Sequence, residues 1–109
     1  NFSVVSWNVR GLGDLDKCAI VKDAFVSAKP SVICLQETKL HHIDQFQAHS
    51  FLPPSFANTI QFVSSTGSRG GILTAWNAST FALEGFISRR HTLTTTFSTE
   101  STHQFTITN

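Results

Sequence analysis

The sequence predicts an α/β (α+β) fold built on one mixed sheet with a flanking helix. Three observations carry this. The chain opens on Phe2–Trp7, a run of β-branched, aromatic and Ser residues. A helical pattern and then a short, continuously apolar run, Val32-Ile33-Cys34-Leu35, follow it. From Asn58 onward, short runs rich in Thr and Phe alternate apolar with polar positions between turn-forming residues. A strand–helix–strand opening almost always makes a right-handed crossover between parallel strands. The later runs are too closely spaced for crossovers and read as an antiparallel meander.

The elements follow in order. Phe2–Trp7 is the first strand, broken by Arg10-Gly11-Leu12-Gly13-Asp14, because closely spaced glycines punctuate structure. Asp14 or Asp16 can cap the helix that comes next. Cys18, Val21, Phe25 and Ala28 recur at the spacing of one helical face, while Lys22 and Asp23 lie off it. Lys29-Pro30 stops the helix, since a proline disfavours helical backbone in the residue before it. Val32–Leu35 suits a strand buried on both faces. His41–Phe56, with weak periodicity and Pro53-Pro54, reads as a loop with one helical turn. Strands are expected at Asn58–Val63, at Ile72–Trp76, through Phe81, Leu83 and Ile87, at Leu93–Phe97 and at Phe105–Thr108. Ser65–Ser68, Asn77–Ser79, Ser88–Arg90 and Thr99–Ser101 are the turns between them.

The 109 residues are enough for one domain. With 40% hydrophobic and 14% charged residues the composition is globular and not disordered. A chain of this size buries roughly 65% of its unfolded surface. The net charge of +1 gives no reason to expect strong non-specific nucleic-acid binding, though local phosphate contacts remain open. Cys18 falls in the helical pattern and Cys34 in an apolar run, so both read as reduced core thiols. No signal peptide or membrane-length apolar stretch is present, and the expectation is a soluble, intracellular chain. There is no Met and no Tyr, and strand-like sequence starts at once and still runs at Asn109. Both ends therefore look cut through the fold, and residues 1–109 are expected to be the N-terminal portion of a domain.

Asn8 and Glu37 each come directly after one of the first two strands. If those strands are parallel neighbours, their carboxyl ends share one edge of the sheet, the place where open α/β sheets bind ligands. A carboxylate beside an amide suits a hard cation such as magnesium, which takes few protein ligands and keeps several waters. Spacing alone favours the plainer reading, a turn-capping Asn8 and an ordinary solvated Glu37 after a strand. The five histidines match no zinc spacing, and Cys18 and Cys34 form no Cys-x-x-Cys pair. All five histidines read as surface or loop residues, and the Phe-rich strands as core.

Three blocks occur in a fitting order: Ser6-Trp7-Asn8-Val9-Arg10-Gly11-Leu12-Gly13, Leu35-Gln36-Glu37-Thr38-Lys39-Leu40 and Arg69-Gly70-Gly71-Ile72-Leu73-Thr74-Ala75-Trp76-Asn77. Together they resemble the endonuclease domain of plant LINE-type (non-LTR) retrotransposons. That domain belongs to the endonuclease/exonuclease/phosphatase superfamily, with its DNase I-like four-layer α/β sandwich. The resemblance implies metal-dependent phosphodiester hydrolysis, with Mg2+ as cofactor, DNA as partner and a nuclear site of action. It assigns Glu37 as the carboxylate that ligates the catalytic magnesium and Asn8 as the amide beside it in the metal and phosphate site. Lys39 is then expected near the active-site rim, and Arg69, in a Gly- and Ser-rich loop, at a DNA phosphate.

The chain departs from that pattern. The superfamily also uses a Tyr in mid-domain, an Asp-x-Asn block and a Ser-Asp-His block, whereas this chain has no Tyr and its last Asp is Asp44. A fragment that is inactive alone is the expectation, its missing partner being the C-terminal half of the domain. One sheet would then lack its facing sheet and expose a large patch of Phe, Ile, Val and Leu. Two alternatives stay open: a degenerate, non-catalytic remnant that at most binds nucleic acid or a partner, and a phosphoesterase of the same superfamily acting on another substrate.

Overall fold

A computed structural model describes residues 2–109. The first strand, β1, is Val4–Asn8, followed by helix α1 (Leu15–Ala28) and strand β2 (Val32–Gln36). Asp14 caps α1, its side chain accepting from Asp16 N–H, so the proposed capping residue is Asp14 and not Asp16. At the other end Lys29 takes the left-handed conformation, φ 50°, and its N–H closes the helix on Phe25 O. Cys18, Val21 and Phe25 are buried as the periodicity requires, while Ala28 at the last turn is exposed.

The region read as a loop contains a second helix, α2 (Gln45–Phe51). Its start is a capping box. Asp44 accepts from Gln47 N–H, and the Gln47 side chain accepts from Asp44 N–H. That Asp-x-x-Gln spacing was visible in the sequence, but weak periodicity hid the helix behind it. Strands β3 (Ile60–Val63) and β4 (Ile72–Trp76) complete a sheet of order β1-β2-β4-β3. β1 and β2 are parallel, and β4 is antiparallel to both β2 and β3, so the sheet is mixed as expected.

The remaining strands, β5 (Ala82–Ser88), β6 (Leu93–Ser98) and β7 (Gln104–Thr108), do not extend that sheet. They form a separate antiparallel sheet, β5-β6-β7, packed against the first. The expectation of a single sheet with an uncovered inner face is therefore corrected within these residues. The reason is pattern: β6 buries Leu93, Thr95 and Phe97, on alternate positions, against the first sheet, and keeps Thr94, Thr96 and Ser98 outside. On that outer face Thr94 bonds to Thr108 and Thr96 to Thr106, hydroxyl to hydroxyl across the β6–β7 pair.

Two cores result, one on each face of β2. Ile33 and Leu35 pack with Phe25, Phe51 and Leu73 under the helices. Val32 and Cys34 pack with Trp76, Phe81 and Phe97 between the sheets. Edge-to-face rings, such as Trp76 on Phe97 at 5.2 Å, fill the inter-sheet layer. Fully burying one such side chain contributes about 2–3 kcal/mol. Phe97 of β6 is thus core, and Phe105 of β7 packs against it partly buried. Exposed apolar side chains remain on several elements: Phe2 and Val4 by β1, Leu15, Ile20 and Val26 on α1, Phe46 on α2, and Leu83, Phe86 and Ile87 on β5. Both cysteines are free and buried, and burial pushes the Cys34 thiol up, with a partly offsetting hydrogen bond from Thr74. Among the described residues no helix is long and apolar enough to cross a membrane.

Candidate active site

Parallel pairing of β1 and β2 places Asn8 opposite Gln36 in register, with Glu37 the next residue. The two predicted residues therefore meet at the carboxyl edge of the sheet. Asn8 Nδ2 donates to Glu37 Oε2, and Asn8 Oδ1 accepts from Arg10 N–H at 3.2 Å. The amide is thus held at both ends, and its donor end is aimed at the acid. Both side chains are exposed.

The backbone around them is strained in a consistent way. Arg10, Glu37 and Lys39 all have left-handed φ, at 54°, 53° and 57°. For a residue with a Cβ this conformation costs about 1–2 kcal/mol, and such residues collect where surrounding bonds over-determine them. Here they do. Gly11 N–H donates to Glu37 O at 2.7 Å, Leu12 N–H to Thr38 O at 3.0 Å, Thr38 N–H to Gly71 O at 3.1 Å and Lys39 N–H to Gly70 O at 2.8 Å. The loops after β1, after β2 and before β4 are therefore laced into one rim, and Glu37 is fixed by its backbone as well as by Asn8.

Gly71 is a requirement of that lacing. It has φ 94°, and a Cβ there would lie 2.2 Å from Thr38 Oγ1 and 3.1 Å from Lys39 N. No side chain fits between the loops. Lys39 runs its stem over Gly11, where a Cβ would sit 3.3 Å from Lys39 Cδ, so Lys39 stands at the rim beside the β1 loop.

Two clefts open at this end of the molecule. One, of about 220 Å³, is lined by Glu37 with Gln36, Gly70, Gly71, Arg90, His91 and Asn109 among others. The second, of about 370 Å³, is lined by Arg69 with Ser64, Thr66, Gly70, Gly71, Arg90 and His91. Arg69 does not line the Glu37 cleft but the one that adjoins it. A larger hollow of about 640 Å³ lies by Phe2 and His103, at the start of β1 and so at the far end of that strand from Asn8. It has no link to the rim.

Sequence reasoning did not find Arg90, His91 or Asn109. The sequence marks the first two as turn and surface residues, which they are, but the turn folds back on the rim because β5 and β6 form the second sheet. No local signal marks this, because it depends on how the two sheets dock. Among the described residues no three His, Cys, Asp or Glu side chains gather in a group that could hold a metal ion. Glu37 is the one carboxylate lining either cleft.

Solved structures with this architecture cover the chain almost completely. The catalytic domain of human Nocturnin, with bound sulfate, superposes with a TM-score of 0.68 at 18% identity, over 98% of this chain and 48% of that one. AP endonuclease LMAP from Leishmania major superposes with a TM-score of 0.65 at 24% identity, over 99% and 39%. An AP endonuclease from Archaeoglobus fulgidus gives 0.61 at 18%, over 91% and 40%. The fold is DNase I-like. The chain spans less than half the length of each of these three structures. No family model and no curated protein matches the chain.

Proposed function

We propose that this chain contributes the metal-holding rim of a phosphodiester-hydrolysing enzyme, with DNA as substrate and Mg2+ as cofactor. The finer reading is the DNA-nicking endonuclease of a LINE-type retroelement, acting in the nucleus. The observation that carries the proposal is the Asn8–Glu37 pair at the carboxyl edge of a parallel strand pair. The DNase I-like fold and the order of the three sequence blocks support it.

The donor set fits magnesium in kind. One carboxylate with a neighbouring amide is hard, oxygen-rich and sparse, which suits an ion that keeps several waters, and excludes a closed His/Cys zinc site. Glu37 would hold the ion through the carboxylate oxygen that Asn8 leaves free. Asn8 orients that carboxylate and keeps it from swinging into solvent. When bound, the metal supplies charge stabilisation to a phosphate under attack. Lys39 and Arg69 add fixed positive charge beside the rim, where a guanidinium pairs in a bidentate manner with phosphate oxygens. A lone carboxylate leaves the general base and the leaving-group acid to other groups. The 109 residues alone are therefore expected to bind metal weakly and not to nick DNA.

The test is Mn2+ titration of the chain followed by electron paramagnetic resonance, beside a plasmid-nicking assay in Mg2+. Bound Mn2+ that is lost in Glu37→Ala and weakened in Asn8→Ala is the expected result. Mn2+ binding unaffected by Glu37→Ala would remove the basis of the proposal. Nicking by the chain alone that disappears in Glu37→Ala would keep the enzyme and overturn its inactivity in isolation.

A further inference from the structure

The two clefts at the rim, one of them lined by Glu37, adjoin along a shared lining and together make a channel-like surface. They share Gly70, Gly71, Arg90 and His91 as lining. One wall comes from the 66–71 loop of the first sheet and carries Arg69. Further lining comes from the β5–β6 hairpin of the second sheet. Arg89 N–H donates to Thr92 O at 2.9 Å and closes that hairpin, which leaves Arg90 and His91 as its two central residues. A tight turn holds them there, and its two exposed side chains are the ones that reach the channel.

Charge is distributed unevenly. The whole chain has eight Lys and Arg against seven Asp and Glu. The channel has Arg69 and Arg90 against Glu37 alone, with His91 as a further donor. On a nearly neutral protein a basic trough that ends at one carboxylate is a local feature and not a reflection of overall charge. Its lining suits a chain of phosphates: an acid that could hold a cation on one side, and two guanidinium groups along the rest.

We infer that Arg90 and His91 form, with Arg69 in the same lining, a phosphate clamp for the nucleic-acid strand leading away from Glu37. This rests on the proposed function for the identity of the ligand, and it adds the second sheet to the substrate-binding surface. Arg90 grips a phosphodiester through paired N–H donors, His91 adds a ring N–H donor, and Gly70 and Gly71 let the backbone of the ligand come close to that of the protein. The contacts are to the sugar–phosphate chain, so they hold without reading sequence.

The test is fluorescence anisotropy of a labelled DNA oligonucleotide with the 109-residue chain, in chelator so that no metal contributes. Arg90→Ala and Arg69→Ala should each weaken binding about tenfold at low salt. Each should also lower the slope of log affinity against log salt by about 1. Arg89→Ala, two covalent neighbours from His91 but outside both clefts, should stay within about twofold of the unsubstituted chain, a change too small for a lost guanidinium–phosphate pair. Arg90→Lys should recover part of the loss, and circular dichroism should show all variants folded. Binding unchanged by Arg90→Ala, an equal loss in Arg89→Ala, polyglutamate bound as tightly as the oligonucleotide, or no binding at all would each overturn the clamp. Mn2+ titration separates the two claims. Metal binding that depends on Glu37, with DNA binding indifferent to Arg90, sinks the clamp alone. The reverse pattern sinks the metal-holding rim and leaves the channel standing.

Discussion

Asn109 and Gln36 tie the two sheets together at the rim: Gln36 Nε2 donates to Asn109 Oδ1 at 2.9 Å. The Asn109 amide nitrogen in turn donates to Leu73 O at 2.7 Å, to Thr74 Oγ1 at 3.2 Å and to Leu35 O at 3.3 Å. One side chain just past β7 thus meets β2 and β4 at the residue before Glu37. Asn109→Ala removes these bonds and should cost about 1–2 kcal/mol in chemical denaturation. Asn109→Asp should be worse although it is the same shape. It turns a second oxygen, carrying charge, toward the carbonyls of Leu35 and Leu73 where an N–H₂ now donates. An Asp variant as stable as the Ala variant would mean that this network does not hold the sheets.

That network also shows what the sequence made legible. Asn8 and Glu37 could be brought together from chain order alone, because a strand–helix–strand opening has one strongly preferred geometry and puts both strand ends on one edge. The capped helix α1, the doubly buried β2 and the core role of Phe97 follow from local period in the same way, whereas Phe86 of β5 is exposed. The docking of the second sheet does not. Whether β5–β7 extend the first sheet or cover it depends on contacts such as Trp76 with Phe97, distant in sequence, and both arrangements carry the same alternation. Asn109, Arg90 and His91 join the rim only through that docking, so they looked like ordinary strand and turn residues.

Thr95 is fully buried on the inner face of β6, and its hydroxyl has no hydrogen-bond partner. A hydroxyl taken out of water without a partner costs about 1–3 kcal/mol. Thr95→Val keeps the branched shape and removes the polar atom. It should raise stability by about 1 kcal/mol, read as a higher midpoint at unchanged slope in urea. Thr96→Val is the control, since its hydroxyl is on the outer face and bonded to Thr106 at 3.1 Å. That substitution should be neutral or mildly destabilising. A destabilised Thr95→Val would point to an unseen partner for the hydroxyl.

Gly71 and Gly67 both have positive φ, at 94° and 61°, but differ in surroundings. A Cβ at Gly67 meets nothing within 4 Å, so Gly67→Ala carries only the left-handed penalty, about 1 kcal/mol. Gly71→Ala adds a collision with Thr38 Oγ1 and should cost about 3 kcal/mol, strain and overpacking together. Because Thr38 precedes Lys39 and follows Glu37, the same substitution should also weaken Mn2+ binding. Adding Thr38→Ala should recover part of the stability, the near atom being gone while Lys39 N still crowds the site at 3.1 Å. Equal losses at the two glycines would show that the loops are not packed as tightly as this contact requires.

Glu37 itself should sit where stability and function pull apart. At an ordinary exposed position Gly is less favourable than Ala by about 0.5–1 kcal/mol, because the unfolded chain gains freedom. At φ 53° the order should reverse, since Ala keeps the left-handed strain and Gly does not. Both substitutions lose the bond from Asn8 Nδ2, so that loss cancels between them. The difference reports the backbone alone, and Glu37→Gly should be more stable than Glu37→Ala by about 1 kcal/mol. Neither variant should retain Mn2+. If Gly proved the less stable of the two, the left-handed turn at Glu37 would be unstrained, and the acid would hold its place by its side chain rather than by the lacing of the loops.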